Sequence, residues 1–286
     1  MGKLELIVLP LLLGGLLAFA FAGGSDDDND DDETVPDRPN QPDGPDGGLL
    51  TDGDDRYEGT AGIDIVQAGN GDNRLMGQDG NDVLSGNGGD DTIDGDAGDD
   101  VLDGGSGNDT LHGNNPRDAI SDGNDSLLCG QGNDTLTDTG GNNRLDGGTG
   151  NDTLWATTER TTMTGGVQAD TFNVSGDVNI ITDFEPGRDT LDIQLSFDPA
   201  AQNGGPAPTT DDIDVTLEDD TLDDGTPVTY VRLSLADTAA SGTQISNLDQ
   251  VIELRGITSN QLADDFDVSL FTDDALTVAI DAALIR

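Results

Sequence analysis

From residue 50 onward one apolar residue recurs at every ninth position, with polar and glycine-rich stretches between. Frames of nine begin at Leu50, Gly59, Ala68, Gly77, Gly86, Gly95, Gly104 and Gly113. A second block begins at Ile120, Cys129, Asp138, Gly147, Ala156 and Gly165. The eighth position is apolar in all fourteen frames, from Tyr57, Val66 and Leu75 to Met163 and Phe172. Apolar residues are 33% of the chain, so such a run at one offset has a chance probability of about 10⁻⁷. The spacing predicts a three-residue strand around each eighth position, its middle side chain turned inward, with a six-residue turn before it. Two nine-residue units make an 18-residue coil with a turn on each side. Parallel stacking of coils then builds a thin apolar ladder between two sheets. The register slips once, where the step from Asp118 to Asp125 is seven residues. An irregular coil is therefore expected over 113–128, with Pro116 and Arg117 in its turn, dividing the stack into two blocks.

The nine-residue period ends at Asn173. Beyond it, β-type segments occur at Val178–Thr182, Leu191–Phe197, Ile213–Leu217, Val228–Leu235, Gln250–Leu254 and Phe266–Phe271. Residues 258–265 and 273–285 read as short helices. The expected fold is all-β: a parallel β-roll over 50–173, followed by a smaller β-rich C-terminal cap over 174–286. Ahead of the roll, Lys3 precedes an apolar run from Leu6 to Ala22 that ends Ala20-Phe21-Ala22. This fits a cleavable signal peptide over 1–22, with a membrane anchor as the alternative, and in both cases the acidic body lies outside. Residues 23–49 combine an acid run with Pro36, Pro39, Pro42 and Pro45, the composition of an extended, disordered linker.

Charge narrows the picture further. The chain carries 59 acidic residues against 11 Lys and Arg, a formal charge of −48. Only seven of the acids are Glu. Asp tolerates tight turns and keeps its carboxylate near the backbone, so the bias favours turn chemistry over a generic solvating surface. The charge repels nucleic acid and anionic membranes, and membrane contact is left to residues 4–22 if they stay uncleaved. One cysteine, Cys129, excludes an intrachain disulfide. The natural partner for many hard oxygens is a hard cation, Ca²⁺ first.

The best frames read GQDGNDVLS (77–85), GDAGDDVLD (95–103) and GGSGNDTLH (104–112). Glycine at positions one, two and four lets carbonyl oxygens turn inward, and Asp at position six adds a carboxylate. An ion shared between turns n and n+2 would find two carboxylates and several carbonyls. The candidate carboxylate ligands are Asp55, Asp64, Asp82, Asp91, Asp100, Asp109, Asp118, Asp125, Asp134 and Asp152. The candidate turn glycines are Gly62, Gly80, Gly89, Gly98, Gly107, Gly132 and Gly150. Asp100 pairs with Asp118 in this register, in a turn weakened by Pro116. Asn73 and Asn143 bring oxygen without charge, and the turns of Thr161 and Asp170 look degenerate. Without the ions the stacked carboxylates would repel, so binding and folding should be coupled.

This region resembles the repeats-in-toxin (RTX) family of secreted calcium-binding proteins, over residues 50 to about 192. ITDFEPGRDTLDI (181–193) is similar to the segment that closes such rolls, and VIELRGITSNQLADDF (251–266) to the family's C-terminal ending. The resemblance implies a parallel β-roll, several Ca²⁺ ions and export. The apolar N-terminal segment departs from the family's usual one-step route. No H-E-x-x-H or G-x-S-x-G motif is present. His112 is the lone histidine, expected at the surface, Cys129 is expected to be inert, and Trp155 is a possible surface contact. The leading reading is a non-catalytic extracellular or cell-surface calcium-binding protein, whose partner could be a surface or matrix polysaccharide or protein. Two others stay open: a carboxylate-based hydrolytic site in the C-terminal region, and an export or interaction module for a separate partner.

Overall fold

Residues with alternating inward and outward side chains pair as parallel strands, and each coil covers the apolar side chain of the one before it. The computed structural model describes residues 50–114, 123–157, 160–175, 178–197, 213–235, 251–262, 266–272 and 277–280. The proposed leader 1–22 and linker 23–49 lie outside the described residues.

The coils begin with β1 (Arg56–Glu58), β2 (Ile65–Gln67), β3 (Arg74–Asp79), β4 (Val83–Gly88), β5 (Thr92–Ala97) and β6 (Val101–Ser106). They continue with β7 (Thr110–His112), β8 (Ser126–Gln131), β9 (Thr135–Asp138), β10 (Arg144–Thr149), β11 (Thr153–Ala156), β12 (Arg160–Val167) and β13 (Thr171–Val174). Odd strands stack in one sheet and even strands in the other, all parallel through this stretch. Leu75 pairs with Ile93, and Leu84 with Leu102, one coil on. Thirteen of the fourteen eighth-position residues lie among the described residues, and all thirteen are buried. Many strands run six residues rather than the expected three. The first turn residues extend the pairing, as where Gly80 N–H donates to the Ala97 carbonyl.

Both sheets continue past residue 173. The strands there are β14 (Val178–Ile181), β15 (Thr190–Phe197), β16 (Ile213–Thr221), β17 (Pro227–Leu235), β18 (Val251–Arg255), β19 (Phe266–Thr272) and β20 (Thr277–Ile280). β14 and β15 still pair in parallel with β12 and β13. β17 then pairs antiparallel with both β16 and β18, and β20 antiparallel with β19. At this end Phe172 and Phe184 meet with ring centroids 6.0 Å apart, widening the core beyond a single ladder of side chains. The helix expected over 273–285 is corrected where it is described: Thr277–Ile280 is a strand, because its apolar residues find a partner edge in β19. Of 258–265, residues 258–262 are described, and they hold a short 3-10 turn at Ser259–Gln261. Among the described residues no helix is long and apolar enough to cross a membrane.

The irregular coil over 113–128 is present in a different form. It holds seven extra residues instead of lacking two: Leu102 pairs with Leu127 and Leu111 with Leu136, each 25 apart in sequence. The insertion leaves the strand ladders unbroken, so the roll does not divide into two blocks there.

Candidate metal centre

Each strand is entered from a turn, and the turns line two edges. The first edge carries Asp64, Asp82, Asp100, Asp125, Asn143 and Thr161. The second carries Asp55, Asn73, Asp91, Asp109, Asp134, Asp152, Asp170 and, past the repeats, Asp189. All of them are buried. The side chains form a ladder with the main chain: the N–H of Asp64 donates to Asp82 Oδ1 (2.8 Å), that of Asp82 to Asp100 (2.7 Å), and that of Asp100 to Asp125 (2.8 Å). The second edge does the same from Asp91 to Asp109 (2.8 Å), Asp109 to Asp134 (2.7 Å) and Asp134 to Asp152 (2.9 Å). Asp100 therefore faces Asp125. The expected pairing of Asp100 with Asp118 is corrected, since the next place in the column is held by Asp125; Asp118 itself lies outside the described residues. Asp170, expected in a degenerate turn, takes the same geometry as the others, accepting from Asp152 N–H at 2.9 Å.

The second oxygen distinguishes interior turns from end turns. No donor reaches the buried Oδ2 of Asp82, Asp91, Asp100, Asp109, Asp125, Asp134, Asp152 or Asp170. A buried carboxylate oxygen without a partner is costly, and each calls for a proton or a cation. At the ends the oxygen is satisfied. Thr51 N–H donates to Asp55 Oδ2 and Thr60 N–H to Asp64 Oδ2, both at 2.7 Å, and Tyr57 Oη donates to Asp64 Oδ1 at 2.9 Å. At the far end Glu185 N–H donates to Asp189 Oδ2 at 2.7 Å. The cause lies at position two of the turn. In the open turns of Asp82, Asp91 and Asp100, Gln78, Asn87 and Asp96 adopt φ of 75°, 70° and 72° there. Gly105, Gly130, Gly148 and Gly166 likewise take positive φ in those of Asp109, Asp134, Asp152 and Asp170; the second position of the Asp125 frame, Ser121, lies outside the described residues. A β-branched Thr resists that left-handed conformation, and its N–H closes on the carboxylate instead.

Position-four glycines stack directly over one another, and a Cβ on Gly80 (φ 138°) would sit 2.6 Å from the Gly62 carbonyl oxygen. Gly62, Gly80 and Gly98 thus mark the first edge, and Gly89, Gly107, Gly132 and Gly150 the second. Outside them runs a ladder that the sequence reading did not identify. Exposed position-five Asp and Asn side chains accept from the next coil, as in Asp90 N–H to Asp72 Oδ1 (2.9 Å), Asn108 N–H to Asp90 Oδ1 (2.7 Å) and Asn151 N–H to Asn133 Oδ1 (2.8 Å). It runs opposite to the inner ladder, whose oxygens accept from the preceding coil. The available signal was Asp or Asn at position five in ten of the fourteen frames.

Burial, helped by facing carboxylates, raises the interior acids above the ordinary range. Asp82, Asp125 and Asp170 are pushed up to about 6, and Asp100, Asp109 and Asp152 to about 7. Burial also raises Asp91 and Asp134. The N–H bond that each accepts works against the rise. Among the described residues no three His, Cys, Asp or Glu side chains converge on one point. Any cation on these edges must therefore draw on main-chain carbonyls too. Such oxygens are at hand: a Cβ on Gly95 would meet Asp100 Oδ2 at 2.5 Å and the Gly113 carbonyl at 2.7 Å. Hard, anionic and neutral oxygens in that mixture suit Ca²⁺, so the donor set fits. His112 is half-buried on β7 rather than at the open surface, Trp155 is half-buried on β11, and the Cys129 thiol is fully buried, its pKa raised chiefly by burial.

Stacked coils with oxygen-lined turns on both edges define a cation-binding β-roll. Four stretches of the chain, 50–84, 85–115, 121–154 and 128–163, match the RTX calcium-binding nonapeptide repeat. Calcium binding in a β-roll is what those repeats imply. No curated protein matches the chain. Among solved structures, the solution structure of the AlgE6R3 subunit from the Azotobacter vinelandii mannuronan C5-epimerase is similar at 21% identity, covering 75% of this chain and 78% of that one. Its TM-score is 0.19, and at that value the likeness carries no argument.

Proposed function

We propose that residues 50–192 bind several Ca²⁺ ions along the two turn edges, fold as they bind, and serve outside the cytoplasm as a non-catalytic, calcium-dependent structural or adhesive module. The observation that carries this is the row of buried Asp Oδ2 atoms with no donor. Asp82, Asp91, Asp100, Asp109, Asp125, Asp134 and Asp152 would supply carboxylates, and turn carbonyls the remaining oxygens. Asp55 and Asp64 would contribute to the hydrogen-bonded ladder, since their oxygens already accept donors. Ions shared between coils neutralise the columns and tie each coil to the next, which the thin apolar ladder does only weakly. Sites of carboxylates and carbonyls on an extracellular module bind in the range of about 10⁻⁴–10⁻³ M. They would be empty at cytosolic calcium and filled outside, so the chain would stay unfolded until exported. Export rests on the apolar segment 1–22 and is tested by N-terminal sequencing of the external protein: Gly23 as first residue indicates a cleaved signal peptide. Folded protein confined to the cytosol would refute the location. Calcium titration of the purified chain, followed by far-UV circular dichroism, tests the binding itself.

A further inference from the structure

One turn of the first edge departs from the repeat in a way that changes its charge. At the first-position glycines Gly59, Gly77, Gly95 and Gly147, a Cβ would meet two kinds of oxygen: Oδ2 of that turn's own Asp and the first-position carbonyl of the next turn. A Cβ on Gly147, for example, would meet Asp152 Oδ2 at 2.5 Å and the Gly165 carbonyl at 2.8 Å. Gly95 has the same surroundings, with Asp100 and Gly113. At Gly113, beside the seven-residue insertion, the pattern changes. The two nearest oxygens there are Asp125 Oδ2, at 2.7 Å, and Asp138 Oδ2. Asp138 occupies the first position of its frame, where Gly95, Gly104 and Gly147 stand in other repeats. Its carboxylate stands where the turns of Gly59, Gly77, Gly95 and Gly147 offer a neutral carbonyl.

Asp138 and Asp125 are 2% and 3% exposed, and no donor reaches either Oδ2. Asp138 Oδ1 accepts from Gly140 N–H at 3.2 Å, which fixes the side chain toward Asp125. The sixth position of the same turn is Asn143, whose Oδ1 accepts Asp125 N–H at 2.8 Å and whose Nδ2 donates to the Gly140 carbonyl. Asn143 thus supplies no charge, and Asp138 replaces it from the opposite end of the turn. We propose that Asp125 and Asp138 form a divalent-cation site of higher affinity than the repeat sites, with Asp138 as a ligand outside the nonapeptide pattern. A rigid site binds its ion more tightly, and here both carboxylates are buried and Asp138 is held by Gly140 N–H, so a first ion at the seam would pin the 25-residue coil before the regular ones fill.

The inference rests on the reading that these edges bind Ca²⁺, and the two can be tested separately in the full chain. Calorimetric Ca²⁺ titration and Tb³⁺ luminescence are compared for wild type, Asp138→Asn, Asp138→Gly and the repeat-site control Asp152→Asn. Glycine is the repeat's own residue at this position, so Asp138→Gly guards against a misfolded variant. Both Asp138 variants should weaken the tightest class of ion on the order of tenfold and leave the weaker class intact. Asp152→Asn should do the reverse. A wild type that binds Ca²⁺ and whose tightest class survives both Asp138 substitutions overturns this inference alone. Loss of the β signal in both variants at saturating Ca²⁺ would make Asp138 a purely structural residue and also overturn it. A wild type that binds no Ca²⁺ removes both readings.

Discussion

The interior and the ends of the roll use the same aspartate for different purposes. Asp82, Asp100 and Asp152 sit between coils with one oxygen bonded and one unmet. Asp55 and Asp64 at one end, and Asp189 at the other, have that second oxygen closed by a main-chain N–H. The repeat letter is identical, and the difference comes from four residues earlier. Thr51, Thr60 and Glu185 place an N–H on the carboxylate, whereas Gln78, Asp96 and Gly148 take a left-handed backbone and leave it open. A terminal turn completed by hydrogen bonds needs no ion and can cap a stack. An interior turn is incomplete as a purely organic structure.

The largest effect should come from removing the ions. In chelator at neutral pH, amide hydrogen exchange across β3 to β13 should lose protection by several orders of magnitude, approaching the global unfolding limit. Protection that persists in chelator would mean that the apolar ladder suffices and that the contrast between turns has no energetic meaning.

Single substitutions sharpen the contrast. Asp100→Ala removes an open carboxylate between two coils and should raise the Ca²⁺ concentration for half-folding several-fold. Asp64→Ala removes a hydrogen-bonded one and should cost about 1–3 kcal/mol with little change in ion number. The comparison is read from Ca²⁺ titrations and from melting at saturating Ca²⁺. Equal shifts in calcium midpoint would contradict the division.

Acid should partly replace calcium. The interior carboxyls have folded pKa values raised to about 6–7, above their unfolded value of about 4. A raised folded pKa contributes stability that is fully present below the unfolded value and is lost as pH rises through the folded one. The metal-free roll should therefore be most stable near pH 4 and lose that stability between about pH 4 and 7. Calcium affinity should move the other way, falling as pH drops below about 7. Circular dichroism in chelator across this range checks the sign.

The smallest expected effect is a gain. Thr60→Gly permits the left-handed backbone at position two, withdraws an N–H from Asp64 Oδ2 and should add one weak ion to the stoichiometry. An unchanged ion count would show that end position, rather than turn chemistry, closes the site.

Much of this architecture was legible in the sequence, because burial at period nine leaves a direct trace: the thirteen described eighth-position residues all face inward. Alternation likewise placed β14 to β19 within a few residues. The seam was misread because a frame laid over 113–121 makes Asp118 as acceptable a turn residue as Asp125. Only the pairing of Leu102 with Leu127 chooses between them. The closed ends were missed because position two was read as a place for glycine, and the cost of Thr there shows only once its N–H direction is known. Asp138 was hidden for a similar reason: one Asp in a chain full of them has no spacing signal, and its meaning comes from the carbonyl it replaces. Thr277–Ile280 reads equally as helix or strand until an edge is offered to it.

The central claim is that the unmet carboxylate oxygens hold calcium and that the roll exists because they do. Titration of the ion-free chain with Ca²⁺ at neutral pH, recording heat and far-UV circular dichroism on the same samples, tests it most directly. Heat and β signal should rise and saturate together, with several ions bound per chain. A full β spectrum before any calcium is added, or binding heat with no change in that spectrum, would contradict it.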